Sequence, residues 1–204
     1  MVTANRIHQV ALAHFAEYGY DGASMAKIAE EVGIKKPSIY AHYKSKEDLF
    51  LHVLQGVFQE ELDYVGALLR RNEQTALHDQ LKQVLTLYKE SYAKKPELKF
   101  MLRMSFFPPA SLHEQVMGQL YAFLDRLESG LVPLMAQGIR TREIGAVHPE
   151  QAATAFMCIL DGLFVELLYG GPERFERKLE ASWALFWRGL TCESNGGIQR
   201  EQQQ

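Results

Sequence analysis

Four lysines lie close together in the first quarter of the chain, and no acidic residue interrupts them between positions 35 and 46. Hydroxyl, phenol and imidazole side chains occupy positions among these lysines. Ammonium groups neutralise phosphate, and hydroxyl groups donate hydrogen bonds to it. The stretch therefore has the chemistry of a polyanion-binding surface. Its members are Lys35, Lys36, Ser38, Tyr40, His42, Lys44 and Lys46.

The rest of the chain does not share this positive charge. The 204 residues contain 22 Lys and Arg against 25 Asp and Glu, which gives a formal net charge of −3. An acidic chain is poorly suited to coating nucleic acid indiscriminately, so the basic stretch indicates a local contact. A run of charge is most often a solvated face, and its meaning therefore depends on the elements that present it.

The sequence predicts no enzyme, no metal site and no cofactor. The histidines form no HxxxH or comparable set with carboxylates. Glu60, Glu61 and Asp63 cluster on a predicted helix, but no nucleophile or base accompanies them. Cys158 and Cys192 form no CxxC pair, which excludes a zinc knuckle and a thiol redox motif.

Composition places the chain among ordinary globular proteins. Apolar residues make up 47% and charged residues 23%, which excludes intrinsic disorder, collagen-like repeats and a disulfide-stapled miniprotein. The length suffices for one full core or two small ones. Asp161 and Glu166 interrupt the most apolar stretch, residues 152–168, and no signal peptide is visible. We therefore expect a cytoplasmic protein that does not span a membrane.

The elements that must position the basic stretch are helices, and the fold class predicted is all-α. A first helix covers residues 5–18 and ends at Gly19, and a second runs from an N-cap at Ser24 to Gly33. Pro37 suits the first turn of a third helix, because proline lacks the N–H that would be unpaired there.

A fourth helix is predicted to start after Ser45, whose hydroxyl caps it while Asp48 lies three residues on. Its apolar stripe lasts about six turns, which is long enough to leave one domain and enter another. Gly130 and Pro133 predict a kink or a break within a later helix. Five further helices are predicted over residues 76–94, 97–106, 112–140, 149–169 and 172–189.

Two short helices joined by a glycine-containing turn form a helix-turn-helix pattern. Ala29 must be small, because the second helix crosses close over it, and Gly33 permits a left-handed turn. A helix presented in this way fits the major groove of DNA. The junction between the helices is predicted to bury Ile28, Val32, Ile34 and Ile39, which leaves the lysines and hydroxyls outside.

The residues around this pattern resemble the amino-terminal domain of the TetR family of transcriptional regulators. The resemblance rests on FAEYGYDGASMAKIAEEVGI over residues 15–34 and SIYAHYKSKEDLF over residues 38–50. In the family an aromatic pair, here Tyr40 and Tyr43, brackets the end of the recognition helix, and a Lys-Glu pair, here Lys46 and Glu47, follows.

The resemblance implies a dimeric regulator, a repressor, in which each subunit offers one recognition helix to half of a near-palindromic double-stranded DNA operator. Pro37 stands where the family often has glycine, and Ala41 where it often has a larger side chain. Base readout by so short a helix is therefore thin, and DNA shape and phosphate contacts carry more. The predicted DNA contacts are Ser24, Lys27, Lys35, Lys36, Pro37, Ser38, Tyr40, Ala41, His42 and Lys46.

The resemblance divides most of the chain into a helix-turn-helix domain over 1–48 and a helical effector-binding and dimerisation domain over 49–190. The end of the chain lacks apolar anchors, and we expect a disordered tail over 191–204. The apolar residues of 152–168 lie nearly all round their helix, so this helix must be buried on several sides. The homodimer interface predicted from this pattern consists of Phe156, Leu160, Leu163, Phe164, Leu167, Trp183 and Phe186.

Soft and aromatic side chains between the two regions predict a pocket for a small apolar or aromatic effector, whose binding releases the DNA. Arg103 lies in this stretch and either orients an acidic ligand or pairs with a glutamate. The pocket residues predicted are Tyr88, Tyr92, Phe100, Met101, Met104, Phe107, Met117 and Tyr121.

An alternative from a different class stays open at this point: a DNA-binding or protein-interaction module with neither sequence choice nor effector. Competition separates the two, because a repressor prefers its operator over random DNA by about 10³-fold or more. An enzyme with an appended DNA-binding head is a third alternative, but the sequence supplies no nucleophile and base for it.

Overall fold

The computed structural model describes residues 2–71 and 74–192, and within these ranges all regular structure is helical. The all-α prediction is confirmed. A 3₁₀ turn over Ala110–Leu112 and a π-helical turn over Glu166–Gly170 supplement the α-helices. The described α-helices are α1 Val2–Gly22, α2 Met25–Val32, α3 Lys36–Tyr40, α4 Lys46–Arg71, α5 Leu77–Tyr92, α6 Pro96–Phe106, α7 His113–Thr141, α8 Pro149–Val165 and α9 Gly171–Thr191. The predicted tail lies outside the described residues beyond Cys192.

The first helix is interrupted at Gly19, as predicted. Gly19 adopts the non-helical dihedral angles φ 70° and ψ −179°, and a second, short helical segment follows this kink as far as Gly22. A side chain at this position would be strained, because L-residues rarely adopt a positive φ. The kink brings Tyr20 against Phe50 of α4, with ring centroids 5.1 Å apart.

The amino-terminal helices share a core with α4, and α4 continues into the carboxyl-terminal region. Phe15 of α1 and Phe50 of α4 meet edge to face at 5.1 Å between ring centroids. Phe50 also contacts Phe100 of α6 at 5.8 Å. About two turns further along α4, Phe58 stacks on Phe123 of α7 at 4.9 Å. Each of these rings is buried, so the helix-turn-helix region is packed onto the helices behind it.

The long helix α7 forms the centre of the carboxyl-terminal region, with α4 and α8 packed against it. It runs without interruption through Gly130 and Pro133, so the predicted break does not occur. Both residues are exposed. Solvent can therefore satisfy the backbone carbonyl that Pro133 leaves without a donor.

A buried acid fastens the junction between α8 and α9. The Glu166 carboxylate accepts a hydrogen bond from Arg174 Nε at 2.9 Å and another from Lys178 Nζ. These hydrogen bonds and charges lower the pKa of Glu166 to about 2. Gly170 leaves room for the carboxylate, because a Cβ there would lie 1.8 Å from Glu166 Oε2.

The segment Pro149–Thr191 includes an 18-residue window of mean hydropathy 1.7, and it is long and apolar enough to cross a membrane by composition. The sequence analysis predicted no such segment. In the structure 44% of the window is buried, and α8 packs against α7 and α9. Core helices of globular proteins have the same length and hydropathy.

Candidate DNA interface and effector cleft

The helices α2 and α3 and the turn between them have helix-turn-helix geometry. Gly33 caps α2 in the left-handed conformation with φ 81°, and its N–H donates to the carbonyl of Glu30 at 3.0 Å. The N–H of Ile34 donates to the carbonyl of Ala29 at 2.9 Å. Ile28, Ala29 and Ile39 are buried where the two helices meet. The small residue and the left-handed glycine therefore have the roles that the sequence analysis gave them.

The face of α3 that points away from this junction is exposed. Within α3 only Ile39 is buried, and Tyr40 keeps 44% of its surface accessible. No acidic side chain lies between Gly33 and Lys46. The exposed predicted contacts are Lys27, Lys35, Lys36, Pro37, Ser38, Tyr40, Ala41 and His42.

Ser24 and Lys46 flank this face and are half-buried. Ser24 occupies the N-cap position of α2, but its side chain makes no capping hydrogen bond. Its hydroxyl and the first N–H groups of α2 thus lie at the positive end of the helix dipole. Lys46 Nζ donates to the carbonyl of Asp21 at 3.2 Å and lies 4.8 Å from the centroid of the Tyr20 ring, which holds the ammonium at the carboxyl-terminal end of α1.

The predicted cap of α4 orients the loop that follows α3. The N–H of Asp48 donates to Ser45 Oγ at 3.0 Å, and the Asp48 carboxylate accepts from the N–H of Lys44 at 2.7 Å. Tyr43 is half-buried against the His52 ring at 5.5 Å, and this partial burial raises the pKa of the Tyr43 phenol. Tyr43 therefore supports α4, whereas Tyr40 faces solvent.

Most of the predicted dimer-interface side chains are used inside the single chain. Five of them are buried in it, and Leu167 and Phe186 are half-buried. Phe156 and Phe186 join α8 to α9, at 6.1 Å between ring centroids, and Trp183 donates from Nε1 to His78 Nε2 of α5 at 2.9 Å. The buried five are Phe156, Leu160, Leu163, Phe164 and Trp183.

The faces that α8 and α9 leave to solvent carry small and apolar residues at helical spacing. Gly162 and Gly189 stand within these faces, and a Cβ at either position would meet nothing within 4 Å. Leu185 keeps 61% of its surface exposed. The exposed residues of this kind are Ala155, Cys158 and Gly162 on α8 and Ala181, Leu185 and Gly189 on α9.

An apolar cleft of about 430 Å³ opens where α6, α7 and α8 meet. Three of the eight predicted pocket residues line it, namely Met101, Met117 and Tyr121. The predicted residues Tyr88, Phe100 and Met104 are buried in the core and do not line it, and neither do Tyr92 and Phe107. The lining residues from α8 are Asp161, Gly162, Phe164 and Val165, none of which the sequence analysis assigned to a pocket.

Arg103 does not reach this cleft. Its Nη1 donates to the backbone carbonyl of Ala16 in α1 at 3.3 Å. The adjacent residues of α6, Leu102 and Met101, line the cleft. The short helix α6 therefore has the cleft on one side and the helix-turn-helix region on the other.

Part of the chain matches a family of known regulators. Residues 7–53 match the family described as bacterial regulatory proteins, tetR family. Over 81 residues the chain is 35% identical to the IcaR negative regulator of the biofilm operon icaADBC from Staphylococcus epidermidis, covering 40% of this chain and 42% of that protein. Over 39 residues it is 49% identical to the repressor AcnR from Corynebacterium jeikeium, covering 19% of this chain and 21% of that one. These matches span less than half the length of the curated relatives.

Solved structures extend the similarity in fold to nearly the whole chain. A TetR-family transcriptional regulator from Mesorhizobium loti has a TM-score of 0.75 at 23% identity, covering 93% of this chain and 97% of that one. The regulator FadR from Bacillus subtilis, in complex with stearoyl-CoA, has a TM-score of 0.65 at 16% identity, covering 91% and 98%. Together these findings show a DNA-binding domain of the tetR family of bacterial regulatory proteins over residues 7–53, and a fold shared with these solved structures over nearly the whole chain.

Proposed function

We propose that this protein is a dimeric, ligand-responsive repressor that binds a near-palindromic operator. The observation that carries the proposal is the exposed face of α3 and its flanking residues, which present two lysines (Lys35 and Lys36) and three hydroxyl or imidazole groups (Ser38, Tyr40 and His42) with no acid among them. Base edges and phosphates in a major groove are the partners that such a face fits. The names of two curated relatives, a negative regulator and a repressor, support repression.

Phosphate contacts on either side of α3 would fix its position in the groove. Ser24 offers an uncommitted hydroxyl at the amino terminus of α2, where the helix dipole favours an anion. Lys46 is held at the end of α1 by Asp21 and Tyr20. Lys35 and Lys36 stand at the start of α3 on exposed side chains. These groups position the helix, while Ser38, Tyr40 and Ala41 meet the base edges.

The dimer forms through the exposed faces of α8 and α9. Glycine within a helix costs about 1 kcal/mol relative to alanine. Neither Gly162 nor Gly189 has a neighbour in its own chain that requires the absence of a side chain. Close approach of a partner helix would explain why neither position carries a side chain. The interface that we propose therefore replaces the buried aromatic residues of the sequence analysis with this surface of small side chains.

The cleft between α6, α7 and α8 is the effector site. Its volume of about 430 Å³ falls within the range of small-molecule pockets. A ligand that displaces α6 would move α1 through Arg103 and its bond to Ala16. Recognition helices must lie about 34–36 Å apart to enter successive major grooves on one face of DNA. A ligand that favours another separation lowers the affinity for the operator.

Selection of genomic fragments by the purified protein, followed by sequencing, tests this proposal. We expect enrichment of one short, near-palindromic motif by the wild-type chain and its loss with the double variant Ser38→Ala, Tyr40→Ala. Both side chains are exposed, so the variant should keep its fold. A matched control is Ser111→Ala with Tyr64→Ala, which changes exposed side chains of the same types outside the helix-turn-helix. Equal recovery of all fragments would contradict the proposal and favour binding without sequence choice.

Sedimentation equilibrium tests the dimer surface separately. We expect a mass twice the chain mass of 23.3 kDa for the wild type. Leu185→Glu should yield monomers, because it places a charge on a face that the dimer would bury. Tyr64→Glu, at another exposed apolar residue on α4, should leave the dimer intact. A Leu185→Glu variant that stays dimeric would exclude this surface as the interface.

A further inference from the structure

One acid stands at the mouth of the apolar cleft between α6, α7 and α8. Asp161 is the single charged side chain among the residues that line it. The other polar lining groups are the Ser105 hydroxyl, which donates to the carbonyl of Met101 at 2.9 Å, and the Tyr121 phenol. The cleft therefore offers a ligand a large apolar contact surface and one negative charge.

No cation within the described residues pairs with Asp161. The ion pairs of α8 and α9 involve Glu166, Glu176 and Glu180 instead. Arg103, on the neighbouring helix α6, is committed to Ala16 on its far side. Asp161 is exposed, so an apolar ligand that covers it would remove its water, and a positive charge on that ligand would offset the cost.

A charge that acts on Asp161 from the neighbouring helix is itself negative. Partial burial and the Glu128 carboxylate of α7 both raise the pKa of Asp161. Glu128 accepts a hydrogen bond from Thr154 Oγ1 of α8, which holds this second acid where α7 meets α8. The surroundings of the cleft thus repel an anionic ligand group and attract a cationic one.

The walls of the cleft suit the apolar body of such a ligand. Phe106, Tyr121, Phe123 and Phe164 contribute aromatic rings. Phe106 and Tyr121 are exposed at the opening. Aromatic faces attract organic cations by about 0.5–2 kcal/mol when water is excluded. Met101 and Met117 add polarisable sulfur that adapts to an irregular apolar shape.

We propose that the cleft binds an apolar or aromatic organic cation, with Asp161 as the counterion and the rings at the opening around the charged centre. This inference rests on the proposed effector role of the cleft and narrows the class of ligand. A fatty acyl-CoA, the kind of ligand bound by the structural neighbour FadR, carries the opposite charge and serves as a competing outcome of the test.

Tetraphenylphosphonium and tetraphenylborate are suitable probes, because they have nearly the same size and shape and opposite charge. Isothermal titration of the full chain, without DNA, measures the affinity of each ion. We expect the phosphonium to bind at least about tenfold more tightly than the borate. Asp161→Asn should weaken phosphonium binding by about tenfold and narrow the difference between the ions. Glu150→Gln, an exposed acid on the same helix outside the cleft, should change neither affinity.

Equal or tighter binding of the borate, tighter binding of stearoyl-CoA, or an unchanged phosphonium affinity in Asp161→Asn would overturn the proposal. The wild-type comparison of the two ions decides the matter even if the variant does not fold. Operator binding is measured on the same preparation by fluorescence anisotropy. Operator binding combined with a preference for the borate refutes the cation site and leaves the regulator intact. If phosphonium binds in a way that depends on Asp161 but does not release the operator, the result supports the cation site and refutes the effector role of the cleft.

Discussion

Replacement of Lys35 and Lys36 by alanine should flatten the salt dependence of operator binding by a predictable amount. Each lysine that neutralises a phosphate contributes a slope of about −0.9 to log K against log salt concentration. If the four lysines between positions 35 and 46 contact phosphate in both subunits, eight contacts give a slope of about −7. The double variant removes four of these contacts, so its slope should be about −3.6.

These slopes correspond to large differences in affinity. Between about 50 mM and 200 mM salt, a slope near −7 lowers the affinity of the wild type by about 10⁴-fold, and a slope near −3.6 lowers that of the variant by about 10²-fold. Both side chains are exposed, so their removal should not affect the fold. Fluorescence anisotropy with a labelled operator at several salt concentrations measures both slopes.

Two exposed cations of the carboxyl-terminal region supply the control. Lys94→Ala with Arg140→Ala changes the net charge by the same amount and should leave the slope near the wild-type value. The reasoning would be refuted if Lys35→Ala, Lys36→Ala kept the wild-type slope. A wild-type slope near zero would refute it as well, because the lysines would then have no part in binding.

Three further predictions follow from other contacts. Arg103→Ala should leave phosphonium binding unchanged, yet weaken the effect of the bound phosphonium on operator affinity by about twofold to tenfold, because the hydrogen bond from α6 to Ala16 is lost. Fluorescence anisotropy with and without the ligand measures the effect, and its full retention would exclude Arg103 as the link between α6 and α1. Glu166→Gln should lower the thermal midpoint at pH 7. Because the folded state lowers the pKa of Glu166 to about 2, the ionised carboxylate stabilises the fold fully above the ordinary carboxyl pKa and progressively less as the pH falls from 5 towards 2, so the difference from the wild type should shrink over that range. Circular dichroism measures the midpoints, and a difference independent of pH would contradict the assignment. Gly138→Ala should destabilise the protein by about 1–3 kcal/mol, because its Cβ would overlap Leu77 Cδ2 in the core. Urea unfolding measures the change, and an unchanged midpoint would contradict this prediction and show that the Leu77 side chain can move aside.

The helix-turn-helix could be predicted in detail because local constraints determine it. Gly33 must adopt a left-handed conformation, Ala29 must be small, and Pro37 is favoured in the first turn of a helix. The capping pair of Ser45 and Asp48 depends on a spacing of three residues. Each of these signals acts between residues a few positions apart, so the sequence alone contains them.

The faces of α8 and α9 could not be predicted in the same way. A helix that is apolar nearly all round does not reveal which side meets its own chain and which meets a partner. Phe156 and Leu160 are completely buried in the single chain, whereas the small residues around Gly162 remain exposed. The useful signal was the pair of glycines within helices, at positions where the single chain does not require them.

The cleft combines residues that are far apart in the sequence. Aromatic and sulfur side chains near positions 100–121 were expected to line it, but Tyr88 and Phe100 belong to the core. Asp161 and Val165 come from a helix that follows 40 residues later. Asp161 and Glu166 both interrupt the most apolar stretch of the chain, and the sequence did not distinguish the acid that lines the cleft from the acid that pairs with Arg174 and Lys178.

Hydroxyl-radical footprinting on the selected operator tests the central claim most directly. A dimer with one recognition helix in each half-site should protect two patches whose centres lie about one helical turn, or a whole number of turns, apart on one face of the DNA. Protection of both patches should disappear with Ser38→Ala, Tyr40→Ala. A single protected patch, or even protection along the fragment that the variant retains, would contradict the account.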